Sequence, residues 1–137
     1  MQDNERIEVV RRWAEAWNRM DWDGVAETFA PDGANHSMMH EPMLGREEIR
    51  RRTRMVMERV SAVNLRFARI GVLDHVVVTE RIDACRRADG SWGEAPVAGF
   101  YEVEAGLIVA KRDYYDRRQL LEAMALPGEF VSVAKAG

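Results

Sequence analysis

Arg81 and Asp83 stand two residues apart in the stretch TERIDAC, residues 79–85, and Lys111 and Asp113 repeat that spacing in KRDYYD, residues 111–116. On a β-strand, side chains two apart share a face. Each stretch would then set a cation beside a carboxylate. Such a group can do acid–base chemistry, because a fixed guanidinium orients carboxylates and tunes their hold on a proton. The same residues on a solvated face form ordinary surface ion pairs. A third polar group, Asn35, His36 and Ser37, opens the segment NHSMMHEPML. His36, His40 and Glu41 are residue types that bind metals, but Pro42 interrupts them and they match no zinc motif. No metal is assigned.

Period and punctuation give the elements that must position these residues. Asp3 can cap a first helix over about 4–19, with Ile7, Val10, Ala14 and Trp17 along one stripe. Asp21 or Asp23 can start a short second helix through Phe29, ended by Pro31 and Gly33. The segment 35–44 reads as irregular. Gly45 precedes a third helix over about 46–60, with Ile49, Met55 and Val56 facing inward. The period then changes to two, which predicts strands near 62–72, 75–87, 94–104 and 107–115. Asp74, Asp89-Gly90 and Ala105-Gly106 supply the turns between them. A last short helix covers 117–124, and Pro127-Gly128 ends it.

Helices followed by an antiparallel meander argue for an α+β fold with helices on one side of a curved sheet. The concave side of such a sheet is a natural small-molecule pocket. Which faces look into it stays open. One face of the second predicted strand carries Val77, Thr79, Arg81, Asp83 and Cys85; the other carries Val76, Val78, Glu80, Ile82 and Ala84. On the last strand Val109, Lys111, Asp113 and Tyr115 oppose Ile108, Ala110, Arg112 and Tyr114. Neither strand has a purely apolar face. Trp13 and Trp17, at helical spacing, read as helix–sheet packing, and Trp92 as a loop residue after the Asp89-Gly90 turn.

Composition narrows the function classes. The 137 residues make a single domain, 1–137, with a formal net charge of −3 that offers nothing to nucleic acid. The run Arg50, Arg51, Arg52 and Arg54 is flanked by Glu47, Glu48 and Glu58, which predicts a solvated helix face. The single cysteine, Cys85, excludes an internal disulfide and reads as a buried, inert thiol. The polar N-terminus and the lack of a long apolar run predict a cytoplasmic protein without a membrane segment.

The stretches TERIDA, GFYEVEAGLI and KRDYYD, with the helix start LGREEIRR, together resemble the limonene-1,2-epoxide hydrolase family. That family has the SnoaL-like, nuclear transport factor 2-like cone fold. The resemblance implies N-terminal helices on a curved, mostly antiparallel sheet, a homodimer through its outer face, and no cofactor. It implies an Asp–Arg–Asp site in which Asp113 takes a proton from water, Asp83 protonates the leaving ring oxygen, and Arg81 bridges the two. The substrate would be a small, largely apolar epoxide. The family also holds its water with a tyrosine and an asparagine, and this chain has Asn35 and Ser37 at the matching positions. Lys111 replaces an aromatic and, if it points inward, weakens Asp113 as a base. The rival readings are a SnoaL-like isomerase or cyclase on a polyketide or steroid-like substrate, and a non-catalytic protein whose Arg81 anchors an anionic ligand.

Overall fold

In a computed structural model that describes residues 1–125, the chain forms four helices and six strands. They are α1 (Asp3–Asn18), α2 (Trp22–Glu27), β1 (Phe29–Ser37), β2 (Met43–Leu44), α3 (Arg46–Val56), β3 (Ala62–Leu73), β4 (Val76–Arg86), β5 (Trp92–Glu104), β6 (Leu107–Tyr115) and α4 (Arg117–Met124). The strands make one sheet in the order β2-β1-β6-β5-β4-β3. Every pairing is antiparallel except β1 with β6. This is the nuclear transport factor 2-like architecture, helices packed on a curved sheet.

The meander from β3 to β6 closes through tight turns that accept left-handed backbone. Asp74 and His75 have φ of 50° and 65°, and Ala105 and Gly106 have 50° and 80°. Two successive positive φ values suit the right-handed twist of the flanking strands. The concave face is covered by α1, which buries Val9, Val10, Trp13, Ala14 and Ala16. Asn18 fixes its far end: the carboxamide donates to the Leu65 carbonyl at 3.3 Å and accepts from the Leu65 amide at 2.7 Å.

Several boundaries differ from expectation. The second helix stops at Glu27, and Phe29 begins β1, so Pro31 and Gly33 lie inside a strand rather than ending a helix. The segment read as irregular is therefore β1 up to Ser37, with β2 after it. β1 shifts register between Phe29 and Ala34, and a Cβ on Gly33 would stand 2.8 Å from the Ile108 carbonyl oxygen. Glycine is what lets the two backbones approach there. The third helix ends at Val56 instead of residue 60, and Trp92 is the first residue of β5. A bulge between β5 and β6 turns Ile108 into the core, so its face is shared with Lys111. Arg52 is buried, held by Glu48 at 3.2 Å, and is no part of a solvated face. Pro127-Gly128 lies outside the described residues.

Candidate active site

Register brings the two charged stretches together. On β5, Ala95 pairs with Asp83, Val97 with Arg81, and Gly99 with Thr79 on one side and Asp113 on the other. Arg81 and Asp113 thus lie on strands that flank β5, and a side chain on β5 would stand between them. Gly99 leaves that space open: a Cβ there would be 2.7 Å from Arg81 Nη1 and 2.9 Å from both Thr79 Oγ1 and the Tyr101 hydroxyl. From the other side, the parallel β1–β6 ladder sets Asn35 beside Lys111 and Ser37 beside Asp113.

Arg81, 1% exposed, is the centre of the cluster. Its Nε donates to Asp83 Oδ1 at 3.0 Å and its Nη2 to Asp83 Oδ2 at 2.9 Å. Nη1 and Nη2 donate to Asp113 Oδ1 and Oδ2, each at 3.1 Å. Nη1 also donates to the Tyr101 hydroxyl. A guanidinium has five N–H donors, so Arg81 is fully engaged. Lys111 points inward. Its Nζ donates to Asp113 Oδ2 at 2.5 Å and to Asn35 Oδ1 at 3.3 Å. The Trp13 ring covers both cations, at 4.9 Å from the Arg81 guanidinium carbon and 4.9 Å from Lys111 Nζ. Such stacking offsets part of the cost of removing the cations from water.

Setting the two cations against carboxylates offsets their charge, which is what makes a buried group of charges tolerable. Burial pushes the Asp113 carboxyl up, but Arg81 and then Lys111 outweigh it and hold the pKa at about 2. Burial lowers the Lys111 pKa; Asp113 opposes that shift and Arg81 adds to it. Burial acts against the Arg81 charge, yet Asp113 and Asp83 hold its pKa well above the ordinary value. Burial also raises the phenol of Tyr115, which bonds the Ser37 hydroxyl and so remains a donor at neutral pH. Cys85, pushed up by burial to about 11, is a protonated thiol at neutral pH and no nucleophile.

A cavity of about 160 Å³ opens over this floor. Its polar lining includes Asn35, Ser37, Arg81, Asp83, Lys111, Asp113 and Tyr115; Trp13, Met43, Val56, Met57, Val63, Leu65, Leu120 and Met124 are among its apolar walls. Trp17 also lines the cavity, and its indole N–H is buried without a hydrogen-bond partner among the described residues. A cavity of this size admits one compact apolar molecule.

All six residues singled out from the sequence, Asn35, Ser37, Arg81, Asp83, Lys111 and Asp113, line this one cavity. Sequence reasoning missed Tyr101, Tyr115 and the pocket role of Trp13. Tyr115 shares the inward face of Asp113 by the period-two rule, and that signal was available. The metal-type residues do not converge. His36 Nε2 lies 3.0 Å from the His40 carbonyl oxygen, and no three His, Cys, Asp or Glu side chains among the described residues gather around a common point. No helix among the described residues is long and apolar enough to cross a membrane.

Residues 10–111 match the model of the SnoaL-like domain, and the chain belongs to that family. It is similar to the structure of an LEH-like epoxide hydrolase from M. tuberculosis, with 25% identity and a TM-score of 0.77 over 90% of this chain and 91% of that one. A protein with a ketosteroid isomerase-like fold from Catenulispora acidiphila, in complex with trimethylamine, also has a TM-score of 0.77, at 22% identity over 89% and 95% of the two chains. A candidate SnoaL-like polyketide cyclase from Jannaschia sp. CCS1 follows at 17% identity and 0.76, over 91% and 94%. The last two share the fold.

Proposed function

We propose that the protein hydrolyses a small, largely apolar epoxide to a vicinal diol. The observation that carries this reading is the single guanidinium of Arg81, which grips Asp83 and Asp113 together on the floor of an apolar cavity. Two carboxylates fixed side by side can divide acid and base roles between them. Asp113 accepts three of the roughly four hydrogen bonds a carboxylate can take, leaving a lone pair on Oδ1 for a water. Asn35 keeps its amide N–H₂ for that water, since its oxygen is held by Lys111. Tyr115, paired with Ser37, supplies a phenol from the opposite strand, where the related hydrolases place one at the position of Asn35.

In the reaction, water gives one proton to Asp113 as its oxygen bonds an epoxide carbon. The ring C–O bond breaks toward oxygen, and Asp83, in its acid form, protonates that oxygen. With Asp83 protonated the cluster carries one net positive charge, which favours the anion that develops on the ring oxygen. Water returns the proton from Asp113 to Asp83 between turnovers.

A second reading draws on the chain's place in the SnoaL-like family, whose structural neighbours include a candidate polyketide cyclase. The same carboxylates would then only shuttle protons on a carbon skeleton, as in an isomerase or cyclase. The anionic-ligand reading fits poorly, because all five donors of Arg81 are engaged inside the protein. The buried thiol of Cys85 suits cytoplasmic residence, and the outer sheet face, with the Phe100–Tyr114 ring pair at 5.5 Å, suits a homodimer. A screen of small terpene and cycloalkene epoxides separates the readings. Diol as the product is the expected result. Recovery of isomerised ketone or allylic alcohol instead would favour the proton shuttle.

A further inference from the structure

Of the 20 lysines and arginines in the chain only two are lysines, Lys111 and Lys135. A chain that uses arginine almost everywhere for positive charge places a primary amine inside its cavity. The difference is chemical. A guanidinium does not deprotonate in proteins, whereas an amine can lose a proton and attack carbon. We propose that Lys111 is a second reactive centre of this cavity, an amine that forms a Schiff base with a small, largely apolar aldehyde or ketone.

Four features of the geometry support this assignment. Lys111 lines the cavity with a side chain 4% exposed, so a carbonyl compound reaches its amine only by entering the apolar chamber. Nζ donates to two acceptors, Asn35 Oδ1 at 3.3 Å and Asp113 Oδ2 at 2.5 Å. Those two match the two N–H groups of a neutral amine and leave its lone pair for an electrophile. The faces of Trp13 at 4.9 Å and Tyr101 at 5.9 Å stabilise the cation of the protonated imine. Asp113, fixed by Arg81, is the proton carrier. Burial and the neighbouring Arg81, acting against Asp113, leave Lys111 easier to deprotonate than an ordinary lysine.

The step balances within the site. The nitrogen lone pair forms the C–N bond, and the carbonyl π pair moves to oxygen. Asp113 relays two protons from nitrogen to oxygen, the first when the ammonium gives up a proton to expose its lone pair and the second once the C–N bond has formed, so water leaves and a protonated imine remains. No oxidant or reductant takes part in the step itself. It is independent of epoxide hydrolysis, because it needs neither Asp83 as an acid nor a bound water as nucleophile.

The test is reductive trapping on the full chain. The protein is incubated with benzaldehyde and sodium cyanoborohydride at about pH 6.5, where an ordinary lysine is almost wholly protonated. Hydride from the reductant converts an imine to a stable benzylamine, and peptide mass mapping locates it. The expected result is one benzyl group at Lys111, formed at least about tenfold faster than at Lys135, and absent from Lys111→Arg. Labelling of Lys135 and the N-terminal amine at rates equal to or above that of Lys111 would overturn the proposal. So would an unlabelled Lys111. The mapping is made on the wild-type chain, so its outcome decides the matter even where the arginine variant does not fold. Because the readout is a covalent mass on the chain, it can fail while diol formation succeeds, and the reverse.

Discussion

At the level of single residues, the decisive pair is Asp113 and Lys111. A carboxyl held at about pKa 2 is ionised at every ordinary pH, yet it is a weak proton acceptor. Removing the ammonium while keeping the apolar stem, as in Lys111→Met, takes away one of its two cations. The Asp113 pKa then rises toward the ordinary carboxylate value near 4, although Arg81 still restrains it. The sign follows directly. The acid limb of kcat/KM moves up in pH, and the plateau rate at neutral pH increases by roughly a fewfold because the base is stronger. Diol formation by both proteins between about pH 3 and pH 7 measures this; an unmoved acid limb and an unchanged plateau would show that Lys111 does not control the base. The pairing of Arg81 with Asp83 was legible from their spacing in the sequence. That Lys111 is sealed against Asp113 was not, because nothing in a local pattern tells which side of a strand faces the helix above it.

Among the elements, β5 decides whether the site can assemble. Its inward positions include Gly93, Ala95, Val97 and Gly99, and this small-residue side lets Arg81 on β4 reach Asp113 on β6. Gly99→Ala would drive a methyl group into Arg81, Thr79 and Tyr101 at 2.7–2.9 Å. The expected cost is about 1–3 kcal/mol of stability, as for other overpacked cores. Diol activity should fall more steeply than stability, since the guanidinium is the atom group displaced. Urea unfolding and turnover on the same preparation check both, and an alanine variant with unchanged activity would contradict the bridging role of Arg81. The four meander strands were readable because β-branched residues alternate and turns punctuate them. β1 was not. Pro31, Asp32 and Gly33 are the residues that end helices, and only the distant partner β6 makes them a bulged strand. A parallel pairing across more than seventy residues leaves no local signature.

Over the molecule as a whole, helices on a curved sheet give a chamber on one side and a broad outer face on the other. The α+β class was readable from element order and the cone from the resemblance carried by TERIDA, GFYEVEAGLI and KRDYYD, and the closure of the chamber by α1 followed from Trp13 only once the sheet was assembled. The outer face carries Val78, Ile82, Phe100 and Tyr114, of which Tyr114 is 44% exposed. Under the proposed homodimer, these residues are covered by a second copy in a two-fold interface. Phe100→Glu with Tyr114→Glu places like charges across that axis and should convert the dimer to monomer in light scattering. A wild-type chain that is already monomeric at micromolar concentration would rule the interface out.

The proposed epoxide hydrolysis stands on Asp113, held by Arg81, drawing the proton from the attacking water. Asp113→Asn preserves size and hydrogen bonding but cannot accept that proton. The decisive measurement is diol formation from one cyclic epoxide by the wild type and by Asp113→Asn of matched fold. Diol from the wild type and a loss of at least about a hundredfold in the variant are expected. Equal diol formation by the two proteins would contradict the role of Asp113 as the base.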